Sequence, residues 1–421
     1  MGWGGESGRR TTRLIYGLLR RTSKLTGRGN MSKNEKFDVV IVGAGAVGTA
    51  TAYLLAREGM SVCIVERGQI GRGSSGHGHG AVNLIGKAFV PGAHFLLGVA
   101  GGEYYPEYIA GVMEHSGIDP MFHETPAIAY AINEEEETIL RKSFEYQRQH
   151  APMAWASVQE CREIEPRLTE DAIGGVIYKH GQVNGLLLSR AGGKALENLG
   201  GKIVYGEVVG LQRSGTRVTG VQLKDRVIEA GHVILAMGAW SGEADKWVGF
   251  PVPVRPGHGE VLHYRIPGPP VRAQINTARH GPIFPARDGT LLVGSIGGPP
   301  MLGKKVDAMT WDAKDTSEPI FDEAPTQEGR DVMIKLALRL MPSLAEGEII
   351  EHRAGVRPLS FDQLPIIGPV PDQQGLYLST GHGFKGLHLS PISARLMVDH
   401  IKGERTVQGV DVDAFLPQRF L

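Results

Sequence analysis

The stretch from residue 37 to residue 67 constrains the fold of this chain more than any other part. An apolar run at residues 39–42 is followed by Gly43, Gly45 and Gly48 in the spacing G-x-G-x-x-G. The pattern predicts a strand buried on both faces, then a tight turn and a helix. Glycine at these positions allows the turn, lets the backbone approach a pyrophosphate, and lets the helix pack closely on its strand. We therefore expect a dinucleotide with its phosphates at the helix N-terminus.

The second half of this stretch places an acid at the end of a second strand. Gly59 ends the predicted helix, residues 61–65 form the strand, and Glu66 follows it. A carboxylate at this position accepts hydrogen bonds from a ribose diol and would repel a ribose 2′-phosphate. An ordinary βαβ unit would leave Glu66 unexplained. The dinucleotide is therefore expected to be NAD or FAD.

Length and composition predict a globular protein with two successive or interleaved domains. The chain has 421 residues, which is long for one domain. Its 45 basic and 45 acidic residues balance, so composition gives no sign of nucleic-acid binding. The 59 glycines indicate many tight turns and strands. Two cysteines, Cys63 and Cys161, cannot form a disulfide framework, and no stretch is apolar enough to span a membrane.

Residues 1–35 are expected to be a disordered or targeting tail outside the fold. The first 30 residues carry a single acid, Glu6, against seven basic residues, Arg9, Arg10, Arg13, Arg20, Arg21, Lys24 and Arg28. Such a composition is typical of an organelle-targeting presequence, but Met31 also begins a short lead into the first strand. The protein is therefore expected in the cytoplasm, or in mitochondria if the segment is a presequence.

A glycine-rich loop follows the second strand, at residues 68–83. Ser74 and Ser75 offer hydroxyl groups to phosphates there. His77 and His79 alternate in sequence, but no third ligand lies at a suitable spacing. We therefore predict no metal site.

The rest of the chain alternates helical and strand-like patterns. Residues 100–155 are expected to be helical, and Ser157 with Glu160 forms the capping box of a further helix. Residues 200–237 read as short strands, and residues 250–298 as an antiparallel sheet.

Two blocks far apart in the sequence carry a resemblance to a known family. The first block is the stricter, FAD form of the glycine fingerprint, made by Gly43, Gly45, Gly48, Ala52 and Gly59. The second block spans residues 354–391 and contains AGVRP and GLYLSTGHGFKGLHLSP. Together they resemble the FAD-dependent amine and amino-acid oxidoreductases, the family of glycine oxidase, sarcosine oxidase and D-amino-acid oxidase. The resemblance covers about residues 36–405.

The resemblance implies an α/β fold in which a Rossmann-type FAD-binding domain is interleaved with a substrate domain built on an antiparallel sheet. The FAD-binding domain is then expected at residues 36–95, 150–248 and 345–405. The substrate domain is expected at residues 96–149 and 249–344.

The cofactor implied is non-covalent FAD. Sarcosine-oxidase-like enzymes attach flavin through a cysteine near the position of Gly355, where this chain has no thiol. The residues expected to bind FAD are Gly43, Ala44, Gly45, Ala46, Val47, Gly48, Glu66, Arg67, Ser74, Ser75, Gly80, Val208, Gly238, Gly381, Gly383, Phe384, Lys385 and Gly386.

The reaction implied is oxidation of the C–N bond of a secondary amine or small amino acid to an imine, by hydride transfer to flavin N5. Arg357 and Lys385 match positions at which relatives bind the substrate carboxylate, and a planar guanidinium suits a bidentate pair. His382, in the same block, is a third candidate for the catalytic site.

The electron acceptor and the assembly stay open. Leu292 stands where oxygen-using relatives keep a lysine near flavin N5. The acceptor is therefore expected to be either O2 or a partner subunit or quinone, and either homo- or hetero-oligomers fit. The alternatives are an FAD-dependent hydroxy-acid or glycerol-phosphate dehydrogenase, and an FAD-bearing subunit of a larger dehydrogenase complex.

Overall fold

The computed structural model of the chain describes residues 34–82, 92–278, 281–294 and 319–421. Residues 1–33 of the predicted tail lie outside the described residues, and the first strand begins at Asn34. No helix in the described ranges is both long and apolar enough to cross a membrane.

The strands and helices of the described residues alternate along most of the chain. The strands are β1 (Asn34–Val42), β2 (Val62–Glu66), β3 (Ala81–Val82), β4 (His123–Ala131), β5 (Met153–Ser157), β6 (Gly174–Gln182), β7 (Lys202–Tyr205), β8 (Val208–Ser214), β9 (Arg217–Leu223), β10 (Val227–Leu235), β11 (Val254–Arg265), β12 (Gln274–Thr277), β13 (Ile283–Pro285), β14 (Leu291–Gly294), β15 (Glu348–Ser360), β16 (Ile366–Pro369) and β17 (Leu376–Thr380). The helices are α1 (Ala46–Arg57), α2 (Ser74–His77), α3 (Ala93–Ser116), α4 (Glu134–Gln147), α5 (Val158–Ile164), α6 (Gly185–Asn198), α7 (Asp245–Val248), α8 (Gln327–Leu340) and α9 (Gly386–Lys402).

The first sheet has the strand order β16-β17-β10-β1-β2-β7, and the hairpin of β8 and β9 extends from β10. The pairs β1–β2, β2–β7 and β10–β17 are parallel. Helix α1 packs against α6 and α9, and their apolar side chains share a core with Val39 and Ile41 of β1. The predicted βαβ unit therefore lies at the centre of this sheet, where an apolar strand can be buried on both faces.

The second sheet has the order β15-β11-β14-β13-β12-β4-β6-β3, with β5 paired to β6. Most of its pairs are antiparallel, although β12 and β4 are parallel. Its longest pair joins β11 to β15, from Val254 opposite Ser360 to Arg265 opposite Glu348. This pair carries the GVRP motif.

Strands of the two sheets alternate along the chain, but they do not follow the predicted domain segments throughout. Strands β5 and β6 fall within residues 150–248, and β15 falls within residues 345–405, yet all three pair in the second sheet. The assignment of those segments to the FAD-binding domain stays a prediction.

The prediction of helix across residues 100–155 is wrong over two strands. Residues 123–131 form β4, which lies between β12 and β6, and residues 153–157 form β5. Pairing and burial inside the sheet outweigh the local helical pattern, as strand preference depends strongly on tertiary context. The capping box of Ser157 and Glu160 is confirmed.

Candidate active site

A cavity of about 350 Å³ opens where the carboxyl ends of β1, β2 and β10 face the β11–β15 pair. Arg357 and His382 line it together with most of the residues predicted to bind FAD. Those cofactor residues are Gly43, Ala44, Gly45, Ala46, Val47, Gly48, Glu66, Arg67, Ser74, Ser75, Gly80, Val208, Gly238, Gly383, Phe384 and Gly386. The lining does not include Gly381 and Lys385.

The glycine turn after β1 has no room for side chains at two of its three glycines. Gly43 has a φ of +109°, and a Cβ there would lie 2.4 Å from the carbonyl oxygen of Ala236. A Cβ at Gly48 would lie 2.1 Å from the carbonyl oxygen of Gly43. Both glycines therefore bring backbone close to backbone, as the turn of a dinucleotide-binding motif requires.

The two serines of α2 have different roles. Ser75 Oγ accepts a hydrogen bond of 3.0 Å from the backbone N–H of Ala46, the first residue of α1. Because Ser75 Oγ accepts from this N–H group, its own hydroxyl proton points away from the N-terminus of α1. Anions are favoured at such a helix N-terminus. Ser74 instead donates its hydroxyl to the carbonyl oxygen of Val356, which ties α2 to β15.

Glu66 is fixed at the end of β2 by the backbone around it. One carboxylate oxygen accepts from the N–H of Ala44 at 2.8 Å and the other from the N–H of Gly68 at 2.7 Å. The carboxylate therefore stands beside the glycine turn, where a ribose diol would meet it.

Trp240 and Gly259 line the cavity but are not among the residues predicted to bind FAD. The guanidinium of Arg67 lies 4.7 Å over the ring of Trp240, and Phe321 stacks on that ring at 5.3 Å with an interplanar angle of 3°. Of residues 238–240, only Gly238 was expected from the family resemblance to bind FAD. Gly259 of β11 also lines the cavity, and no sequence signal separates it from other strand glycines.

FAD fits this cavity on two observations. The glycine turn forms a cradle that a Cβ would fill. Ser379, at the end of β17, is only 1% exposed and lines the cavity, and its Oγ has no hydrogen-bond partner within the described part of the chain. A buried hydroxyl is normally paired, so a polar ligand group beside Ser379 would satisfy it. Backbone N–H groups of the turn, Glu66 and Ser75 would hold the pyrophosphate and ribose.

Gly355 excludes a covalent flavin link at its position. A Cβ there would lie 2.7 Å from Cβ and 2.9 Å from Cγ of His77. A cysteine could not be placed without moving α2. The two cysteines of the chain, Cys63 and Cys161, are buried and do not line the cavity.

His77 and His79 have partners within the protein. The Nδ1 atom of His77 lies 3.1 Å from the carbonyl oxygen of Gly73, and the ring of His79 stacks on Phe284 at 4.5 Å. No group of three or more metal-ligating side chains lies together in the described ranges.

Arg357 brings a cation to the cavity. It lies on β15, and its Nη1 donates a hydrogen bond of 3.0 Å to the carbonyl oxygen of His258 on β11. Burial lowers the pKa of Arg357 to about 10, so the guanidinium stays charged at neutral pH. A charged planar fork in a partly enclosed site suits a carboxylate.

Lys385 and His382 occupy different surroundings from Arg357. Lys385 Nζ lies 3.2 Å from Nδ1 of His94, behind the lining. His382 faces the cavity, and its Nε2 lies 2.9 Å from Ser393 Oγ. Burial lowers the pKa of His382 to about 3, so its imidazole is neutral at physiological pH. Arg357 is thus the predicted carboxylate ligand that the cavity contains, and Lys385 stays a prediction.

The glycine turn, the carboxylate of Glu66 and the guanidinium of Arg357 together define an FAD-dependent oxidoreductase. The comparisons with known proteins agree. Residues 38–400 match the family described as FAD dependent oxidoreductase, DAO. The chain is 31% identical over 374 residues to the glycine oxidase of Pseudomonas aeruginosa, covering 88% of this chain and 96% of that protein. The chain therefore belongs to the DAO family.

Solved structures agree with this assignment. The crystal structure of glycine oxidase from Geobacillus kaustophilus superimposes with a TM-score of 0.81 at 26% identity, over 92% of this chain and 100% of that one. L-proline dehydrogenase from P. horikoshii, at 21% identity, shares the fold with a TM-score of 0.77 over 92% of this chain and 98% of that one. The predicted family, fold class and FAD cofactor are confirmed.

Proposed function

We propose that the protein oxidises the C–N bond of a small amino acid, glycine or an N-substituted glycine, with the substrate carboxylate bound by Arg357. The observation that carries the proposal is the charged guanidinium of Arg357 in the lining of the cavity that fits FAD. The glycine oxidases among the relatives support the same substrate class.

The protein contributes binding, orientation and exclusion of water. Bound FAD supplies the two-electron acceptor for the C–N oxidation. Arg357 orients the substrate by a bidentate contact with its carboxylate, and the low dielectric of the cavity strengthens that contact. His382 is neutral, so it adds no charge to that of Arg357.

We propose O2 as the electron acceptor, supported by the oxidases among the relatives. Leu292 is 8% exposed and lies outside the cavity lining, packed against Ala81 and Val261, two apolar residues that are part of the lining. A partner subunit or quinone is the competing acceptor. Peroxide formed in air during turnover identifies O2, and turnover only with an added quinone or dye identifies the alternative.

The substrate assignment is tested by steady-state kinetics on Arg357→Ala. Loss of a buried charge partner is expected to raise KM for glycine by about a hundredfold, while FAD stays bound. The matched control is Arg265→Ala, an exposed arginine at the far end of β11, which should leave KM within about twofold. An unchanged KM in Arg357→Ala would contradict the proposal.

A further inference from the structure

The guanidinium of Arg357 lies directly across the backbone of Gly259, which faces it from β11. A Cβ added to Gly259 would lie 2.1 Å from Cζ, 2.2 Å from Nη1 and 2.3 Å from Nη2 of Arg357. Both residues line the cavity. The guanidinium can occupy its observed position only because residue 259 has no side chain.

The same strand supplies the hydrogen-bond acceptor of the guanidinium, the carbonyl oxygen of His258. The ring of His258 is fixed from both sides. Its Nδ1 lies 2.9 Å from the carbonyl oxygen of Asp322, and its Nε2 lies 2.9 Å from Oε1 of Glu260. A carbonyl oxygen only accepts, so Nδ1 of His258 donates to Asp322, and Nε2 is the ring nitrogen that meets the Glu260 carboxyl group.

Glu260 makes this arrangement rigid. It is 2% exposed, and it accepts from Nε2 of His352 at 2.6 Å and from the hydroxyl of Thr326 at 2.6 Å. Burial alone would raise the pKa of Glu260, but the hydrogen bonds from Thr326, His258 and His352 outweigh it and lower the pKa. The carboxylate thus joins β11, β15 and the start of α8, and neither it nor the three donors are part of the cavity lining.

We propose that Gly259 and His258 are positioning residues for Arg357, and that Glu260 holds His258 in place. The inference rests on the proposed function, in which Arg357 binds the substrate carboxylate. Gly259 fixes the plane in which the guanidinium lies, and the His258 carbonyl fixes its direction. A side chain at residue 259 displaces the guanidinium and weakens carboxylate binding while the cofactor site keeps its residues.

The test uses the FAD-loaded protein and acetate as a non-reacting carboxylate, with binding read from the change in the visible flavin spectrum. Gly259→Ala is expected to raise Kd for acetate by about tenfold, because charge-assisted hydrogen bonds lose their geometry. It is also expected to raise KM for glycine in the same proportion, with kcat changed less than about threefold. The matched control is the strand glycine variant Gly210→Ala, whose Cβ would meet only Gln222, at ordinary distances of 3.5 and 3.9 Å. It should stay within about twofold of wild type.

The same substitution made in the Arg357→Lys variant tests whether Gly259 acts through the guanidinium. Lysine lacks the planar fork, so in Arg357→Lys the added methyl group of Gly259→Ala should change Kd for acetate by less than about twofold. An equal loss of acetate affinity in the wild-type and Arg357→Lys proteins, or a wild-type Kd in Gly259→Ala, would overturn the inference.

If Gly259→Ala does not retain FAD, His258→Asn replaces it. That variant lies outside the cavity lining and removes the donor to Glu260. It should raise Kd at least about threefold, and a wild-type Kd there would equally overturn the inference.

The proposed function and the positioning role of Gly259 are contradicted by different results. If acetate does not perturb the flavin of the wild-type protein, the proposed function fails, and the inference falls with it. If acetate binds to wild type and weakly to Arg357→Ala, but normally to Gly259→Ala, only the inference fails.

Discussion

Gly48 is the residue at which cofactor binding depends most directly on the absence of a side chain. A Cβ there would overlap the carbonyl oxygen of Gly43 at 2.1 Å, so Gly48→Ala must push α1 away from the turn. The variant is expected to purify with less than about a tenth of the FAD of wild type, since the phosphate-binding N–H groups move with the helix. The ratio of flavin to protein absorbance measures this.

Gly210→Ala is the matched control for that change. Its Cβ would meet only Gln222, at ordinary distances of 3.5 and 3.9 Å, and it lies away from the cavity lining. It should retain FAD as the wild type does. Full FAD content in Gly48→Ala would show that the glycine turn does not hold the cofactor.

Some of the individual site residues could be predicted from the sequence and others could not. The glycine turn and Glu66 were predictable because strand, turn, helix and acid follow one another in a short stretch, and local backbone geometry dictates the residue types. The contact of Lys385 with His94 was not predictable, because the two residues are 291 positions apart. The placement of the Arg357 guanidinium against the backbone of Gly259 likewise depends on the register of β11 against β15.

At the scale of elements, the segment at residues 320–326 links the second sheet to the cofactor loops. Phe321 stacks on Trp240 of the lining, and Glu323 lies 3.6 Å from Arg72. Phe321→Ala is expected to speed FAD release about fivefold, because a stacked aromatic pair contributes about 1 kcal/mol. Recovery of free-flavin fluorescence after dilution measures the rate.

The control for that segment is Ile320→Ala, which removes a neighbouring side chain that is 77% exposed. Its release rate should match that of wild type. Equal rates in Phe321→Ala and wild type would remove this segment from the cofactor site.

Elements were predictable from the sequence to the extent that their patterns are local. The capping box of Ser157 and Glu160 was predicted correctly because the cap contacts backbone three residues away. Strand β4 was missed because it is buried by β12 and β6, which come much later in the chain. The final helix begins at Gly386, where no side chain caps its first turn, so the sequence holds no local signal for its start.

At the scale of the whole molecule, buried neutral histidines predict sensitivity to acid. His388 is 0% exposed, and burial lowers its pKa from 6.5 to about 4. Below pH 6.5 the unfolded chain binds a proton that the folded His388 does not. The free energy of unfolding therefore falls as pH falls from 6.5 to about 4, by on the order of 3 kcal/mol from this residue.

Denaturant unfolding of the wild type and of His388→Gln, at pH 7 and at pH 5, measures that contribution. Glutamine keeps a donor for the Gly98 carbonyl, which Nε2 of His388 contacts at 2.8 Å, but it does not titrate. The variant should lose less stability between the two pH values than wild type loses. The same pH dependence in both proteins would exclude His388 as a source of the acid sensitivity.

Oxidation of a small amino acid bound through Arg357 is the function proposed for this FAD enzyme. The most direct measurement is the visible spectrum of the purified protein, followed by addition of glycine or N-methylglycine without oxygen. We expect flavin bands in the purified protein and their bleaching by these amino acids, but not by glycolate or glycerol phosphate. Protein that cannot bind flavin, or flavin that only a hydroxy acid bleaches, would contradict the proposed function.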